Sequence, residues 1–205
     1  MLSPLLNINN PSSWEIVPLG INCRISHYLR NKGMRKVALP FDWNITPIQS
    51  SIELIANDFS GFLDRTNLRF LPPVKRLLFD ETESDILITT EMVTPVINTK
   101  YEILFPHDFP AEYESTYHIV VDKYQRRIDR LNHLLNSELH IIFVYHQASF
   151  NEWQVDQFKQ AHLGSTLGSN LNWKETLSVL LQKKFPLLSY SIIDHLDLVG
   201  LLGDA

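Results

Sequence analysis

The stretch Trp14-Glu-Ile-Val-Pro-Leu-Gly-Ile-Asn-Cys23 decides the fold. Its first part reads as a short buried strand running into Gly20. Asn22 and Cys23 then open a helix through about Lys32, and Gly33 stands where a helix C′ residue belongs. The segment Lys36-Val-Ala-Leu-Pro-Phe41 is continuously apolar like a second buried strand, with Pro40 confined to its end. Thr46-Pro47 caps a further helix whose apolar positions Ile48, Ile52, Ile55 and Phe59 recur at helical spacing. Strand, helix, strand, helix is the opening of a parallel α/β sheet.

Outward from that opening, Pro72-Pro73 and the acidic run 80–85 mark loops around short apolar pieces, so 61–100 is expected to hold a hairpin. Tyr101-Glu-Ile-Leu-Phe105 reads as a strand entering the stiff loop Pro106-His-Asp-Phe-Pro110. Val120, Tyr124, Ile128, Leu131 and Leu135 step by three and four and predict a long helix from about Ser115. Lys123, Arg126, Arg127 and Arg130 on it have the form of a phosphate stripe, but Asp122 and Asp129 interleave, which is the pattern of a solvated face. Leu139-His-Ile-Ile-Phe-Val-Tyr145 reads as a central parallel strand, apolar on both sides. Helices near 151–161 and 173–184, a Gly/Ser linker at 164–170 and a last strand at 187–193 complete the chain. The expectation is one three-layer α/β domain over 1–205 with a flexible leader at 1–13. Its central sheet is mostly parallel, with strands including 16–19, 37–39, 101–105 and 140–145, and Cys23 lies at the first strand-to-helix turn.

Composition narrows the function. A formal charge of −5, without a block of like charge, leaves no electrostatic footprint for nucleic acid. At 44% hydrophobic and 20% charged residues the 205-residue chain is near the globular average. The single cysteine rules out an intramolecular disulfide and a multi-cysteine zinc site. With no signal-peptide pattern and no apolar run of about 18 residues, a cytoplasmic protein without a membrane span is expected. Neither H-x-x-x-H nor H-E-x-x-H spacing nor a Gly-rich phosphate loop occurs, so no metal or cofactor is expected.

Cys23 carries the chemistry in this reading. A thiol in the first turn of a helix faces the positive end of the helix dipole and free backbone N–H groups, which lower its pKa and offer an oxyanion hole. The opposing possibility is a core thiol, since free cysteines are among the most buried residues. His107 follows a predicted strand, as do Cys23 and Asp42. Three strand ends can thus deliver thiol, imidazole and carboxylate to one rim. Asp42 and Asp108 compete as the acid that orients His107. Asp42 is preferred because neighbouring side chains on extended backbone point to opposite sides. His27 lies one turn beyond Cys23 on the same helix face but is directed along the helix; His146 and His195 are secondary bases. Asp194-His195 also resembles the acid–base pair of SGNH-type esterases.

An ordered set of short motifs adds a family. Leu19-Gly-Ile-Asn-Cys23, Leu29-Arg30, Gly33-Met-Arg35, Pro40-Phe-Asp-Trp43, Asn57-Asp-Phe-Ser-Gly-Phe62, Phe105-Pro-His-Asp-Phe109 and Tyr124-Gln-Arg-Arg-Ile128 span roughly 15–145. Together they resemble a domain family of unknown function described as "putative papain-like cysteine peptidases". The resemblance implies a Cys–His hydrolase or acyl-transfer site with Cys23 as nucleophile and His107 as base. A cysteine-dependent acetyltransferase of capsular-polysaccharide biosynthesis is similar locally, in its strand, Gly-Asn-Cys-like turn and helix.

The leading expectation is therefore a cysteine-dependent hydrolase working through a thioacyl intermediate on a peptide, ester or acyl substrate, with Cys23, His107 and Asp42 as catalytic residues. The rivals are an acyl- or acetyltransferase using the same residues and a non-catalytic carbohydrate- or peptide-binding domain with a buried Cys23. The oligomeric state stays open.

Overall fold

The structure is a computed structural model that describes residues 13–20, 23–81, 86–146, 152–160 and 172–202. The expected linker at 164–170 and all but the last residue of the expected leader at 1–13 lie outside the described residues. The described chain mixes helices and strands around a parallel three-stranded sheet. Strand β1 (Trp14–Pro18) and strand β8 (Ser189–Asp194) flank β7 (His140–Tyr145) in the order β1-β7-β8. Ile16 lies opposite Ile142, and Phe143 opposite Ile192.

Alternation along β7 explains its position between two partners. Ile141, Phe143 and Tyr145 enter one hydrophobic cluster with Val17. Ile142 and Val144 enter a second with Trp14 and Ile16. The first cluster also takes residues of α2 (Ile48–Ala56), α3 (Tyr113–Leu135) and α5 (Trp173–Lys184). The second takes Ile25 and Leu29 of α1 (Arg24–Asn31) and Leu198 of α6 (His195–Leu202). A strand apolar on both faces is stable only when both are covered, and here helices cover both. None of the described helices is long and apolar enough to cross a membrane.

Two of the expected strands take other forms. Residues 37–39 form no strand: the Leu39 N–H donates to Asp42 Oδ2 at 2.9 Å instead of entering a ladder. Of 101–105 only β6 (Ile103–Phe105) is a strand, and it is antiparallel. It pairs with β5 (Val96–Asn98), which also pairs with β2 (Leu68–Phe70), in a sheet separate from the parallel one. The expected hairpin is β3 (Val74–Glu81) against β4 (Ile86–Val93). The remaining helix, α4 (Glu152–Gln160), sends Phe158 into a small cluster with Ile97 and Leu104.

The exit from β1 is held from two sides. The Leu19 N–H continues the ladder to the Val144 carbonyl at 2.9 Å, and the Leu19 carbonyl accepts from Ser51 Oγ of α2 at 2.5 Å. Gly20 then turns with φ +99°, against Thr46; a Cβ there would lie 2.8 Å from Thr46 Cβ and 3.0 Å from its carbonyl oxygen. At the far end, Gly33 has φ +67° and the Met34 N–H donates back to the Leu29 carbonyl at 2.8 Å, the αL stop of a helix. Gly20→Ala meets both the left-handed backbone and the Thr46 contact. It should lower unfolding stability by about 2–4 kcal/mol, read as a drop in urea midpoint at unchanged slope.

Candidate functional site

Cys23 is the N-cap residue of α1, and its thiol is half-buried. At 100° per residue, Cys23, His27 and Arg30 share one stripe of the helix, while Ile25 and Leu29 face the core. Arg30 Nη2 is 3.0 Å from His27 Nδ1. An arginine can only donate, so Nδ1 accepts and the ring carries its proton on Nε2. The His27 ring meets Trp43 edge-on at 5.1 Å, and Arg35 lies over the same indole at 4.7 Å.

The segment bearing Asp42 and Trp43 is drawn to the His107 loop by paired backbone bonds. Ile45 donates to the Leu104 carbonyl at 2.8 Å and Leu104 donates back at 3.0 Å, next to the end of β6. From the other side, Thr94 donates to the Phe109 carbonyl at 2.8 Å and Ala111 to the Met92 carbonyl at 3.2 Å, tying the loop to the hairpin's last strand. His107 thus follows a strand of the antiparallel sheet and is not a strand end on the parallel rim. Its charge and that of His27 act on each other.

The two acids have separate partners. Asp42, 1% exposed, accepts on Oδ2 from Arg35 Nε at 3.2 Å, Arg35 Nη2 at 3.0 Å and the Leu39 N–H at 2.9 Å. Burial still raises its pKa against the pull of Arg35 and Leu39. Asp108 accepts from Lys123 Nζ at 2.5 Å and from the Tyr124 hydroxyl at 3.0 Å, both on α3. Burial opposes its charge as well, but Lys123, His107 and Arg127 hold its carboxyl below the usual range. Asp42, expected to orient His107, is bound to Arg35, and the carboxylate whose charge favours the His107 imidazolium is Asp108. The sequence argument against Asp108 assumed extended backbone, whereas 106–109 form a bend.

Protonation also departs from expectation. Burial pushes the Cys23 thiol up, outweighing the backbone N–H and the charges of Arg24 and Arg30, so the lowered thiol pKa anticipated from the helix terminus is reversed. Burial likewise lowers His107, with Lys123, Arg76 and Arg127 adding to it against Asp108. Burial thus favours the neutral form of both groups. The secondary bases form their own group at the carboxyl ends of β7 and β8: His146 and His195 stack edge-on at 4.7 Å, and Tyr28 of α1 meets His195 at 5.9 Å. Among the described residues, neither the Tyr28 hydroxyl nor His146 Nε2 finds a hydrogen-bond partner. Both histidines are lowered, chiefly by burial, with Arg24 contributing to each. No group of three or more His, Cys, Asp or Glu among the described residues could hold a metal ion. Arg30, Arg35 and Trp43 were not singled out as site residues from the sequence, although each lies in one of the short motifs that carry the family resemblance and Arg30 stands three residues after His27.

These features define a mixed α/β chain with a thiol and imidazoles around one helix. Over residues 14–177 it matches, and belongs to, the family described as "Putative papain-like cysteine peptidase". It is also 33% identical over 136 residues to an uncharacterized protein of Acanthamoeba polyphaga mimivirus, a stretch covering 62% of this chain and 59% of that relative. The match therefore spans less than two thirds of the relative's length. No solved structure matches the chain at a significant level.

Burial of neutral histidines makes stability depend on pH. His27, His107, His140, His146 and His195 all have lowered pKa values, with burial the largest cause for each. As pH falls through about 6.5 the unfolded chain takes up these protons first, so stability is full above that value and lost below it. Urea midpoints measured from pH 8 to pH 5 should fall starting near pH 6.5, above the carboxylate range. His107→Gln should flatten part of that slope.

Proposed function

We propose that the protein is a cysteine-dependent hydrolase acting through a thioacyl-enzyme intermediate. The Cys23 sulfur attacks a substrate carbonyl carbon as its proton passes to His107. The developing oxyanion is held by backbone N–H groups at the start of α1. Collapse breaks the acyl bond, and the His107 imidazolium gives its proton to the leaving group. Water then attacks the thioester, His107 accepting its proton and returning it to the departing Cys23 sulfur.

The observation that carries this reading is the half-buried Cys23 thiol at the N-cap of α1, on the same helix stripe as His27, whose charge is coupled to that of His107. Family membership supports it. Because thiol and imidazole rest neutral, His107 acts as a general base at the moment of attack and not as half of a standing ion pair. The lowered His107 pKa keeps the ring unprotonated and so able to accept that proton. Asp108 is the acid that stabilises the transient imidazolium, while Asp42 secures Arg35 beneath Trp43. His27, its Nε2 protonated, is a donor and not the base. The reading treats the chain as one three-layer α/β domain, supported by the hydrophobic clusters on opposite faces of the parallel sheet.

The test is labelling of the intact protein by peptide, ester and acyl-CoA probes, followed by mass. One Cys23-dependent adduct should form in the wild type and none in Cys23→Ala. His107→Ala should slow labelling by about 10²-fold or more. Iodoacetamide alkylation should still be gaining rate above pH 9, because the thiol lies above its ordinary value of 9.0. Labelling by acyl-CoA alone would reassign the protein to acyl transfer, and a thiol silent until denaturant is added would make Cys23 a core residue.

A further inference from the structure

We propose that Ser189 is a second nucleophile of this protein, activated by His140 and taking the acyl group of an ester as an O-acyl serine. The site does not involve Cys23 and stands or falls without it.

The sheet register sets three residues in one row. Trp14 of β1, His140 of β7 and Ser189 of β8 are successive partners across the parallel strands, so their side chains lie on one face. Ser191, two residues further along β8, shares that face. The His140 ring reaches both serines, with Nδ1 2.7 Å from Ser189 Oγ and Nε2 2.9 Å from Ser191 Oγ. The His140 backbone is fixed as well, its N–H donating to the Ser13 carbonyl at 3.0 Å. This row lies at the amino end of the sheet, whereas Cys23 follows the carboxyl end of β1.

A neutral imidazole has one donor and one acceptor nitrogen, so one serine donates to the ring and the other accepts from it. The 2.9 Å bond has the usual length for an N–H donor, and the 2.7 Å bond the shorter length for a hydroxyl donor. Ser189 therefore donates to Nδ1 while Nε2–H donates to Ser191, which gives the nucleophile, base and orienting group of a serine triad. Burial lowers the His140 pKa, so the ring accepts that proton at neutral pH. Ser189 is exposed, where an ester can approach it, and Ser191 is half-buried. Trp14, 7% exposed, carries an indole N–H with no acceptor among the described residues, the donor available to an oxyanion in this row. In the reaction Ser189 Oγ bonds to the carbonyl carbon as its proton passes to His140 Nδ1. Collapse then breaks the ester C–O bond, and the alcohol leaves with that proton.

The test is labelling of the intact protein with a fluorophosphonate, whose phosphorus bonds to an activated serine oxygen with release of fluoride. Peptide masses should place one adduct on Ser189, in the wild type and equally in Cys23→Ala. Ser189→Ala should remove it. His140→Gln, which still hydrogen-bonds both serines, should slow it by about 10²-fold or more. Trp14→Phe should slow it by about tenfold. The wild-type rate should rise with pH through the His140 pKa, below the ordinary 6.5, and then level off. p-Nitrophenyl acetate should in turn leave an acetyl ester on Ser189. No adduct on Ser189, or an adduct shared among surface serines, overturns the activated serine. So does a labelling rate that His140→Gln leaves unchanged in a protein with the wild-type urea midpoint. Each of these results leaves Cys23 as it was, and a Cys23 that takes no acyl probe leaves Ser189 as it was.

Discussion

The pairing of β1 with β7 is the constraint on which the placement of Cys23 depends. β7 is covered on both faces and flanked on both sides, so its register is held by core packing as well as by hydrogen bonds. Leu19 extends that register by one residue to Val144 and is pinned from the other side by Ser51. Gly20 turns where only a residue without a side chain fits beside Thr46. Three residues further on Cys23 caps α1, and His27 and Arg30 follow it on one stripe of that helix.

A second constraint is electrostatic. Burial of titratable groups penalises whichever form is charged, and it does so for the Cys23 thiol, for His27 and for His107. The buried acids keep cationic partners, one on each side: Arg35 for Asp42 and Lys123 for Asp108. The buried Arg127 of α3 acts on both acids and on His107 while lying over the Tyr124 ring at 4.9 Å, so α3 links the Asp42 segment to the His107 loop. In the proposed mechanism this polar layer meets the imidazolium formed during attack without creating a resting ion pair.

Legibility from sequence followed the strength of local periodicity. The long helix starts within two residues of its expected position, the strand at 140–145 has its expected bounds, and 173–184 is helical as read. Residues 37–41 mislead because burial and strand pairing leave the same apolar signature. Leu39 and Phe41 are indeed in the core, yet the backbone there bonds to a side chain, not to a strand. The Tyr101–Phe105 run misleads in orientation: its apolar residues are buried as expected, but the strand within it pairs antiparallel with β5 in a sheet separate from the parallel one.

The sequence by itself determined where apolar faces must be hidden, where helices stop, and that a lone cysteine precedes a helix. Those properties depend on side-chain period and on glycine or proline geometry within a few residues. Tertiary structure decided that Asp108 belongs to Lys123 and Asp42 to Arg35, and that burial raises the pKa of the thiol. Each of these turns on groups distant in the chain, such as Lys123 on α3 beside Asp108 and the backbone bonds that draw Ile45 to Leu104, and on the depth of burial they create together. Hydrophobic pattern records that a residue is covered. The identity of what covers it, and therefore its charge state and partners, exists only once the chain has closed on itself.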